Sequence, residues 1–168
     1  MTRLMMTWRL MGVVGLLVWA AGCGYGTRRP FPEGIRTVHV EMAQSREFRR
    51  DLEFDLTEAL VKRIEMDTPY AIADAARADT VLSCEILEVR TRGLADEFRT
   101  RRPREVASSV FVRLRWRDQR TGETLLERPR FGVTTSYLPS VGETFRTGSI
   151  RAVDGLAEQI VEAMESAW

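Results

Sequence analysis

Apolar and polar residues alternate along the chain in a way that predicts a strand followed by a helix. The segment from Ile35 to Glu41 alternates β-branched and polar side chains, which is typical of a strand. Beyond it, apolar residues recur at three- and four-residue steps, which predicts an amphipathic helix with Ser45 as its N-cap and a stop before Pro69. The residues on its apolar stripe are Phe48, Leu52, Leu56, Ala59, Leu60 and Ile64.

Three longer strands are predicted to follow this helix. In the first, Thr80 to Gly93, the inward-facing residues change from even to odd positions near Ile86 and Leu87, which indicates a β-bulge. The second, Ser108 to Asp118, alternates regularly. The third, Thr124 to Tyr137, contains Pro129, which predicts an edge or a bulge because proline has no N–H to donate. In the second strand the inward residues are Val110, Val112, Leu114 and Trp116, and the outward ones are Arg113, Arg115 and Arg117.

A second amphipathic helix ends the pattern, so the predicted order of elements is β-α-β-β-β-α. Because each helix has one apolar face, both are expected to pack on a sheet. The fold class is therefore α+β, a two-layer sandwich of two helices on a small mixed β-sheet. The first strand and the strand after the first helix should be parallel neighbours, and the later strands antiparallel. The stripe of the second helix contains Ile150, Val153, Leu156, Ala157, Ile160, Val161 and Met164.

The N-terminal residues have the pattern of a targeting segment. Arg3 and Arg9 precede an uncharged apolar run from Leu10 to Ala21. This run is shorter than the ~20 apolar residues that a bilayer core requires. We predict a lipoprotein signal peptide over residues 1–22, a lipidated cysteine and Pro/Gly-rich tether over 23–34, and a single domain over 35–168.

Cys23 follows two alanines and a glycine, which resembles a bacterial lipobox. In such a sequence the chain is cut before the cysteine, and lipid is attached to its sulfur and its new amino terminus. Acyl chains contribute ~0.8 kcal/mol per buried CH₂, so a multiply acylated Cys23 would be a stable membrane anchor. Gly24 is not the aspartate that retains lipoproteins in the inner membrane, which favours the outer membrane. The alternative is an ordinary signal peptide with Cys23 as a bystander.

Charge and cysteine content exclude two further classes. The chain has 25 Lys and Arg, two of them in the leader, against 24 Asp and Glu, so the predicted mature part is nearly neutral. This balance gives no support to nucleic-acid binding. If Cys23 is acylated, Cys84 has no partner, so no disulfide framework is expected. Cys84 lies in an apolar pattern and is expected to be a small buried hydrophobe.

Catalytic and metal-binding motifs are missing from the sequence. The single histidine, His39, lies within the first strand and has no Cys or Asp at ligand spacing. The nucleophile-elbow, P-loop and zincin motifs are also absent. We therefore predict a protein without catalytic residues, metal or cofactor. The open alternative is an enzyme whose catalytic groups are carboxylates alone.

Four arginines stand close together at the predicted end of a hairpin. They are Arg99, Arg101, Arg102 and Arg104. Guanidinium forks fit phosphate bidentately, and a strand pair presents several at once, so the cluster would suit an amphiphile with phosphorylated head groups. The alternative is a solvated tip whose charges deter edge pairing. For the outward arginines of the neighbouring strand, the alternative is a simple polar sheet face.

Seven segments, taken in order, resemble the LptE family of outer-membrane lipopolysaccharide-assembly lipoproteins. Each segment alone matches the family only loosely. The resemblance depends on the order of the segments over nearly the whole predicted mature chain. They are CGY at 23–25, the Pro/Gly tether, IRTVHVE, LTEALVKRI, ARADTVLSCEI, TGETLLE and GLAEQIVEAMESAW. The family fold, two helices packed against a small sheet, is the fold already predicted.

The resemblance implies a non-enzymatic role at the outer membrane. Members of this family occupy the lumen of the LptD β-barrel, support its assembly and bind lipopolysaccharide. By position, the nearest counterparts of the family's lipid A-binding residues are Arg99, Arg101, Arg102 and Arg104. The implied partners are therefore an LptD-type barrel, lipopolysaccharide, and the membrane through a palmitoylated anchor on the periplasmic side.

A second class of function fits the same sequence. A periplasm-facing accessory lipoprotein that regulates a cell-envelope synthase or an ABC transporter could share a small α+β domain and a long tether. To bind a soluble partner of that kind, this domain would need one exposed apolar patch. A domain that plugs a barrel should instead be polar over most of its surface.

Overall fold

A computed structural model describes residues 31–32, 34–46, 50–96 and 103–165 of the chain. The predicted leader and Cys23 lie outside the described residues. The strands are β1 (Thr37–Val40), β2 (Gln44–Ser45), β3 (Ala71–Ile72), β4 (Thr80–Asp96), β5 (Pro103–Asp118) and β6 (Thr124–Tyr137). The helices are α1 (Arg50–Asp67), α2 (Phe145–Glu165) and a short 3₁₀ helix (Pro139–Val141). The α+β class and the order of the long elements are confirmed.

The strands form one mixed sheet in the order β3-β1-β4-β5-β6, with the short β2 also paired to β4. As predicted, β1 lies parallel to β4, and β5 and β6 continue the sheet antiparallel. The register between β4 and β5 shifts between Ile86 and Glu88, at the predicted bulge. A second shift between Val112 and Leu114 lies opposite Pro129 on the edge strand β6, in agreement with the prediction for that proline.

The start of α1 differs from the prediction that Ser45 is its N-cap. Ser45 lies in β2, and the helix begins at Arg50. The backbone N–H of Ser45 donates to Glu53 Oε1 at 2.8 Å, and that of Ala43 donates to Thr57 Oγ1 at 2.9 Å. Polar side chains of α1 therefore hold the preceding segment against the sheet, and this interaction replaces the predicted cap.

The buried residues of both helices pack against one face of the sheet. Phe48, predicted for the apolar stripe of α1, lies outside the described residues. The inward residues predicted for β5 are all fully buried. In α2, however, Ile150 is 41% exposed, which corrects its assignment to the apolar stripe. The buried face begins instead with Gly148 and Ser149 and continues through Ala152. The Ser149 hydroxyl donates to the carbonyl of Phe145 at 2.8 Å. The helix is rotated so that Ile150 points away from the sheet.

Both helices run in the same direction across the sheet. Arg146 Nη1 lies 2.5 Å from Asp55 Oδ2 near their N-terminal ends, and Arg63 Nη2 lies 3.6 Å from Glu158 Oε2 farther along. Gly148 allows α2 to lie directly on β6, because a Cβ at this position would be 2.5 Å from Cδ1 of Tyr137. Within the described residues, neither helix has both the length and the apolar character needed to cross a bilayer.

Asp79 ties β1 to the beginning of β4. Its Oδ2 accepts hydrogen bonds from the backbone N–H of Arg36 at 2.9 Å, from the backbone N–H of Thr37 at 3.1 Å and from Thr37 Oγ1 at 3.1 Å. These donors, Arg36 first, hold the pKa of the Asp79 carboxyl below its ordinary value. The carboxylate therefore stays charged and fixes the parallel register at this end of the sheet.

Replacing Leu114 with alanine should strongly destabilise the fold. The side chain lies on the core face of β5 and is fully buried, so truncation removes apolar contact and leaves a cavity. We expect a loss of about 2–5 kcal/mol in the free energy of unfolding, measured by urea denaturation. Arg115→Ala, at the next residue on the exposed side, is the control and should cost less than about 1 kcal/mol. Equal losses in the two variants would contradict the assigned core face.

Candidate functional site

The predicted arginine cluster at the hairpin end lies mostly outside the described residues. The flanking strands pair up to Asp96 and Pro103, so residues 97–102 connect the two strands at the far end of β4 and β5. Arg104 is described and is exposed at the start of β5. The other three predicted residues, Arg99, Arg101 and Arg102, are outside the description, and their role stays a prediction.

The sheet face opposite the helices is open to solvent, and we refer to it as the open face. Because side chains alternate along a strand, burial of Val112, Leu114 and Trp116 turns the intervening arginines to this face. They form the arginine row Arg113, Arg115 and Arg117. The outward assignment from the sequence is thus confirmed, and strict alternation along β5 is its cause.

Glutamates on the adjacent strands neutralise part of the arginine row. Glu85 accepts from Arg46 Nε at 2.6 Å and from Arg113 Nη1 at 2.7 Å. Arg115 Nη2 donates to Glu127 Oε1 on β6 at 2.7 Å. The hydrogen bond from Arg46 is the largest cause that lowers the pKa of Glu85, with Arg113 adding to it, so Glu85 stays ionised.

Arg117 differs from its two neighbours in the row. Its side chain is exposed, and no carboxylate among the described residues lies within salt-bridge distance of it. A guanidinium without a protein partner keeps all five donors for a ligand or for water. Arg117 is therefore the member of the row whose charge is most available to an anion.

Two depressions on the open face adjoin the arginine row. The larger, about 390 Å³, lies between the segment after β1 and strands β4 and β5. The smaller, about 210 Å³, continues past Arg115 to Arg117. Both are lined by Glu41, Ser83 and Arg115. Together they form a shallow, polar trough with charges of both signs.

A second charged cluster lies farther along the open face, where β4 and β5 approach the hairpin end. We call Glu88, Arg90, Phe111 and Arg130 the arginine–phenylalanine cluster. Glu88 accepts from Arg90 and, at 3.1 Å, from Arg130 Nη2. The Arg130 guanidinium carbon lies 4.1 Å from the centroid of the Phe111 ring, and that of Arg90 lies 5.8 Å from it.

Gly132 provides the space for this stacking. A Cβ at residue 132 would lie 2.5 Å from Cδ1 of Phe111, so a side chain there would displace the ring. The hydrogen bond from Arg90 is the largest cause that lowers the pKa of Glu88. Alternation along the sequence does not predict this cluster, because the bulges in β4 and β6 change which residues share the open face.

Groups that could act as nucleophile, base or metal ligand are not gathered in the described residues. His39 Nδ1 donates to the carbonyl of Ala73 at 3.0 Å and lies beside a shallow depression. Burial raises the pKa of the Cys84 thiol to about 12, so this sulfur remains protonated and unreactive at neutral pH. No group of three or more His, Cys, Asp or Glu suited to a metal occurs among the residues described.

The open face is chemically suited to bind phosphate or carboxylate groups. Arginine forks bind such groups bidentately, and fixed strands hold them at set spacings. The neighbouring glutamates lower the net positive charge, so an anion would compete with them for the same guanidinium groups. The open face thus carries guanidinium groups in a fixed arrangement to which a polyanion could bind.

A known protein family matches almost the whole domain. The family model described as LptE, lipopolysaccharide-assembly, matches residues 35–167. This range begins just before β1 and includes all of α2. Comparison with curated proteins gave no match.

Solved structures share the fold at low sequence identity. A hypothetical protein from Chlamydia trachomatis is 14% identical, with 79% of this chain and 97% of that chain covered and a TM-score of 0.56. A protein from Xanthomonas campestris is 12% identical, with coverages of 81% and 91% and a TM-score of 0.54. A putative lipoprotein from Caulobacter crescentus is 17% identical, with coverages of 77% and 88% and a TM-score of 0.51. At these identities the likeness concerns the fold alone.

Neutralising Glu85 should strengthen anion binding on the open face. Glu85→Gln removes the carboxylate shared by Arg46 and Arg113 and leaves both guanidinium groups available. We expect severalfold tighter binding of inorganic pyrophosphate by isothermal titration calorimetry, roughly the effect of one added charge-assisted contact. Glu123→Gln, in the exposed turn before β6, removes the same charge elsewhere and should leave the affinity unchanged. Equal affinities for Glu85→Gln and the unaltered chain would argue against an anion site here.

Proposed function

The chain belongs to the LptE lipopolysaccharide-assembly family, and we propose that it is an outer-membrane lipoprotein that joins an LptD-type β-barrel and takes part in lipopolysaccharide transport. The observation that carries this proposal is the family match over residues 35–167, which spans the whole sheet and both helices. Family membership also favours a binding and assembly role over catalysis.

Lipopolysaccharide binding would use arginines at two places in the fold. The first is the predicted hairpin cluster of Arg99, Arg101, Arg102 and Arg104. The second is the arginine row on the open face, which lies on the same strand β5. Lipid A phosphates at the cell surface are bridged by divalent cations, and bidentate guanidinium contacts would compete with those bridges. The protein would thereby release single molecules from the aggregated lipid.

The distribution of surface residues supports a place inside a polar lumen. Large barrels have polar interiors that another element can plug. The open face is lined by arginine and glutamate side chains, as described above. Among the described residues, exposed large apolar side chains lie on both helices, β4, the 3₁₀ helix and two connecting segments, and do not belong to one element. They are Met42, Phe54, Met66, Leu94, Leu138, Val141 and Ile150.

Anchoring would depend on acylation of Cys23. One acyl chain gives only marginal membrane binding, whereas two or more give a stable attachment. Eight Cα–Cα steps separate Cys23 from Phe31, and at ~3.4 Å per step this part of the tether reaches about 27 Å when fully extended. This length would let the domain enter a barrel while its lipid stays in the periplasmic leaflet of the outer membrane.

Copurification from membranes tests the barrel partnership. Tagged protein, extracted in mild detergent and captured by affinity, is expected to bring down a large β-barrel protein in near-equal amount, identified by mass spectrometry. A tagged, unrelated outer-membrane lipoprotein is the control for non-specific capture. Recovery of a periplasmic synthase or transporter subunit in place of a barrel would support the accessory-lipoprotein alternative.

The Cys23→Ala variant separates anchoring from partnership in the same experiment. We expect the domain to remain folded, as judged by its melting temperature, and to leave the membrane fraction when the barrel is depleted. Persistence in outer-membrane fractions without the barrel would contradict anchoring through Cys23.

Charge reversal in the hairpin cluster tests lipopolysaccharide binding. The double variant Arg101→Glu, Arg102→Glu is expected to bind lipopolysaccharide about tenfold more weakly, because two guanidinium–phosphate contacts become repulsive. The melting temperature should change little. The matched control is Arg77→Glu, Arg128→Glu, which makes the same change in net charge at two exposed sites elsewhere. Binding should be measured by surface plasmon resonance, and equal affinities in the two double variants would assign the cluster to a solvated tip.

A further inference from the structure

In the part of the chain that the structure describes, the far half of β4 is a free edge of the sheet. On one side β4 pairs with β5 throughout, but on the other side β1 and β2 cover only its first half. The last of these bonds in the described residues runs from the Arg46 N–H to the Ile86 carbonyl at 3.1 Å. Beyond Ile86, the main-chain groups that point away from β5 have no backbone partner among the residues described.

This edge is regular and accessible over a useful length. Between the register shifts after Ile86 and after Gly93, the residues from Glu88 to Gly93 pair one to one with β5. Six residues at ~3.3 Å each span about 20 Å, the length of an ordinary strand. All five residues from Arg90 to Leu94 are exposed. We call the segment Glu88–Gly93 the β4 arm edge.

The other two edges of the sheet are less suited to pairing. On β6, Pro129 removes an N–H at the bulge, and Arg151 Nη1 of α2 donates to the Ser136 carbonyl at 3.0 Å. At the opposite end of the sheet, β3 has only two residues. Sheet proteins commonly protect edges by such devices, and on the β4 arm edge only charged side chains serve this purpose.

We propose that the β4 arm edge binds an extended, acidic segment of a partner protein, which adds to the sheet as a further strand beside β4. Main-chain hydrogen bonds would provide the affinity, and the side chains of alternate residues would provide the specificity. This inference goes beyond the proposed function, which concerns the barrel and its lipid, and it does not depend on either.

Charge determines the kind of strand that fits. Arg90 and Arg92 alternate onto the open face along this edge. Arg90 shares Glu88 with Arg130, whereas Arg92 has no ion pair among the described residues. Acidic residues on an added strand would lie opposite these arginines, and opposite charges directly across a strand pair are stabilising.

The same charges disfavour pairing between two copies of this chain. A symmetric pair would join two β4 arm edges antiparallel, with the same residues on both sides of the contact. In the register centred on Thr91, Arg90 of one copy would then lie opposite Arg92 of the other on a single sheet face. Like charges directly opposite are destabilising, so the occupant is a different, acidic segment.

A synthetic peptide provides a direct test on the full-length chain in detergent. The probe is a fluorescein-labelled nine-residue peptide of alternating valine and glutamate, and binding is followed by fluorescence anisotropy. Methylation of alternate peptide nitrogens, which removes donors on one edge, should weaken binding about tenfold or more, since each lost hydrogen bond contributes about 0.5–1.5 kcal/mol. Hydrogen exchange should also slow at alternate amides within the β4 arm edge.

Charge variants complete the test and separate edge pairing from general attraction. Arg90→Glu, Arg92→Glu should weaken binding of the acidic peptide about tenfold and favour a valine–lysine version of it. Arg77→Glu, Arg128→Glu, with the same net charge, should bind the acidic peptide as the unaltered chain does. The proposal is overturned if no binding occurs, if N-methylation has no effect, or if both double variants lose affinity equally. None of these outcomes bears on copurification with a barrel.

Discussion

The antiparallel ladder between β4 and β5 is the interaction on which the rest of this structure depends. It runs from Thr80 and Asp118 at one end to Asp96 and Pro103 at the other, so the two strands form the backbone of the whole molecule. One side of the ladder carries the core residues that receive both helices, and the other carries the charged open face. The two surfaces depend on each other, because successive side chains of the same strands point alternately to one and to the other.

This shared origin explains how arginines on an exposed face come to be held in position. Leu114 and Trp116 are fully buried, and a slip of one residue in β5 would place them in solvent and the arginines in the core. The cost of that exchange fixes the register, and the register in turn fixes the spacing of Arg113, Arg115 and Arg117. Burial on one face thus orders the charges on the other. The ion pairs with Glu85 and Glu127 then adjust the direction of the guanidinium groups, although exposed pairs contribute little to stability.

Features governed by local periodicity were predictable from the sequence, whereas features governed by bulges and tertiary contacts were not. Alternation in β5 and the position of Pro129 correctly indicated the core face and the edge strand. The N-cap assigned to Ser45 was wrong because Glu53 and the edge of β4 bind that segment as a strand. Ile150 was wrongly placed in the core because the close contact at Gly148 sets the rotation of α2. The arginine–phenylalanine cluster depends on bulges in β4 and β6 that change which residues face outward. The sequence pattern does not specify how many extra residues each bulge contains.

The tether joins the domain at one end of the sheet. Phe31, the first described residue and part of the predicted tether, packs edge-on against Tyr70 with ring centroids 5.3 Å apart. The Tyr70 ring in turn lies 5.9 Å from that of Trp116. Trp116 pairs with Leu82, near the start of β4, so the tether joins the domain at the end opposite the hairpin. From Leu82 to Asp96 the ladder extends roughly 45 Å at ~3.3 Å per residue. The β4 arm edge and Arg104 therefore lie at the end of the domain remote from the tether, where a partner can meet them under the proposed anchoring through Cys23.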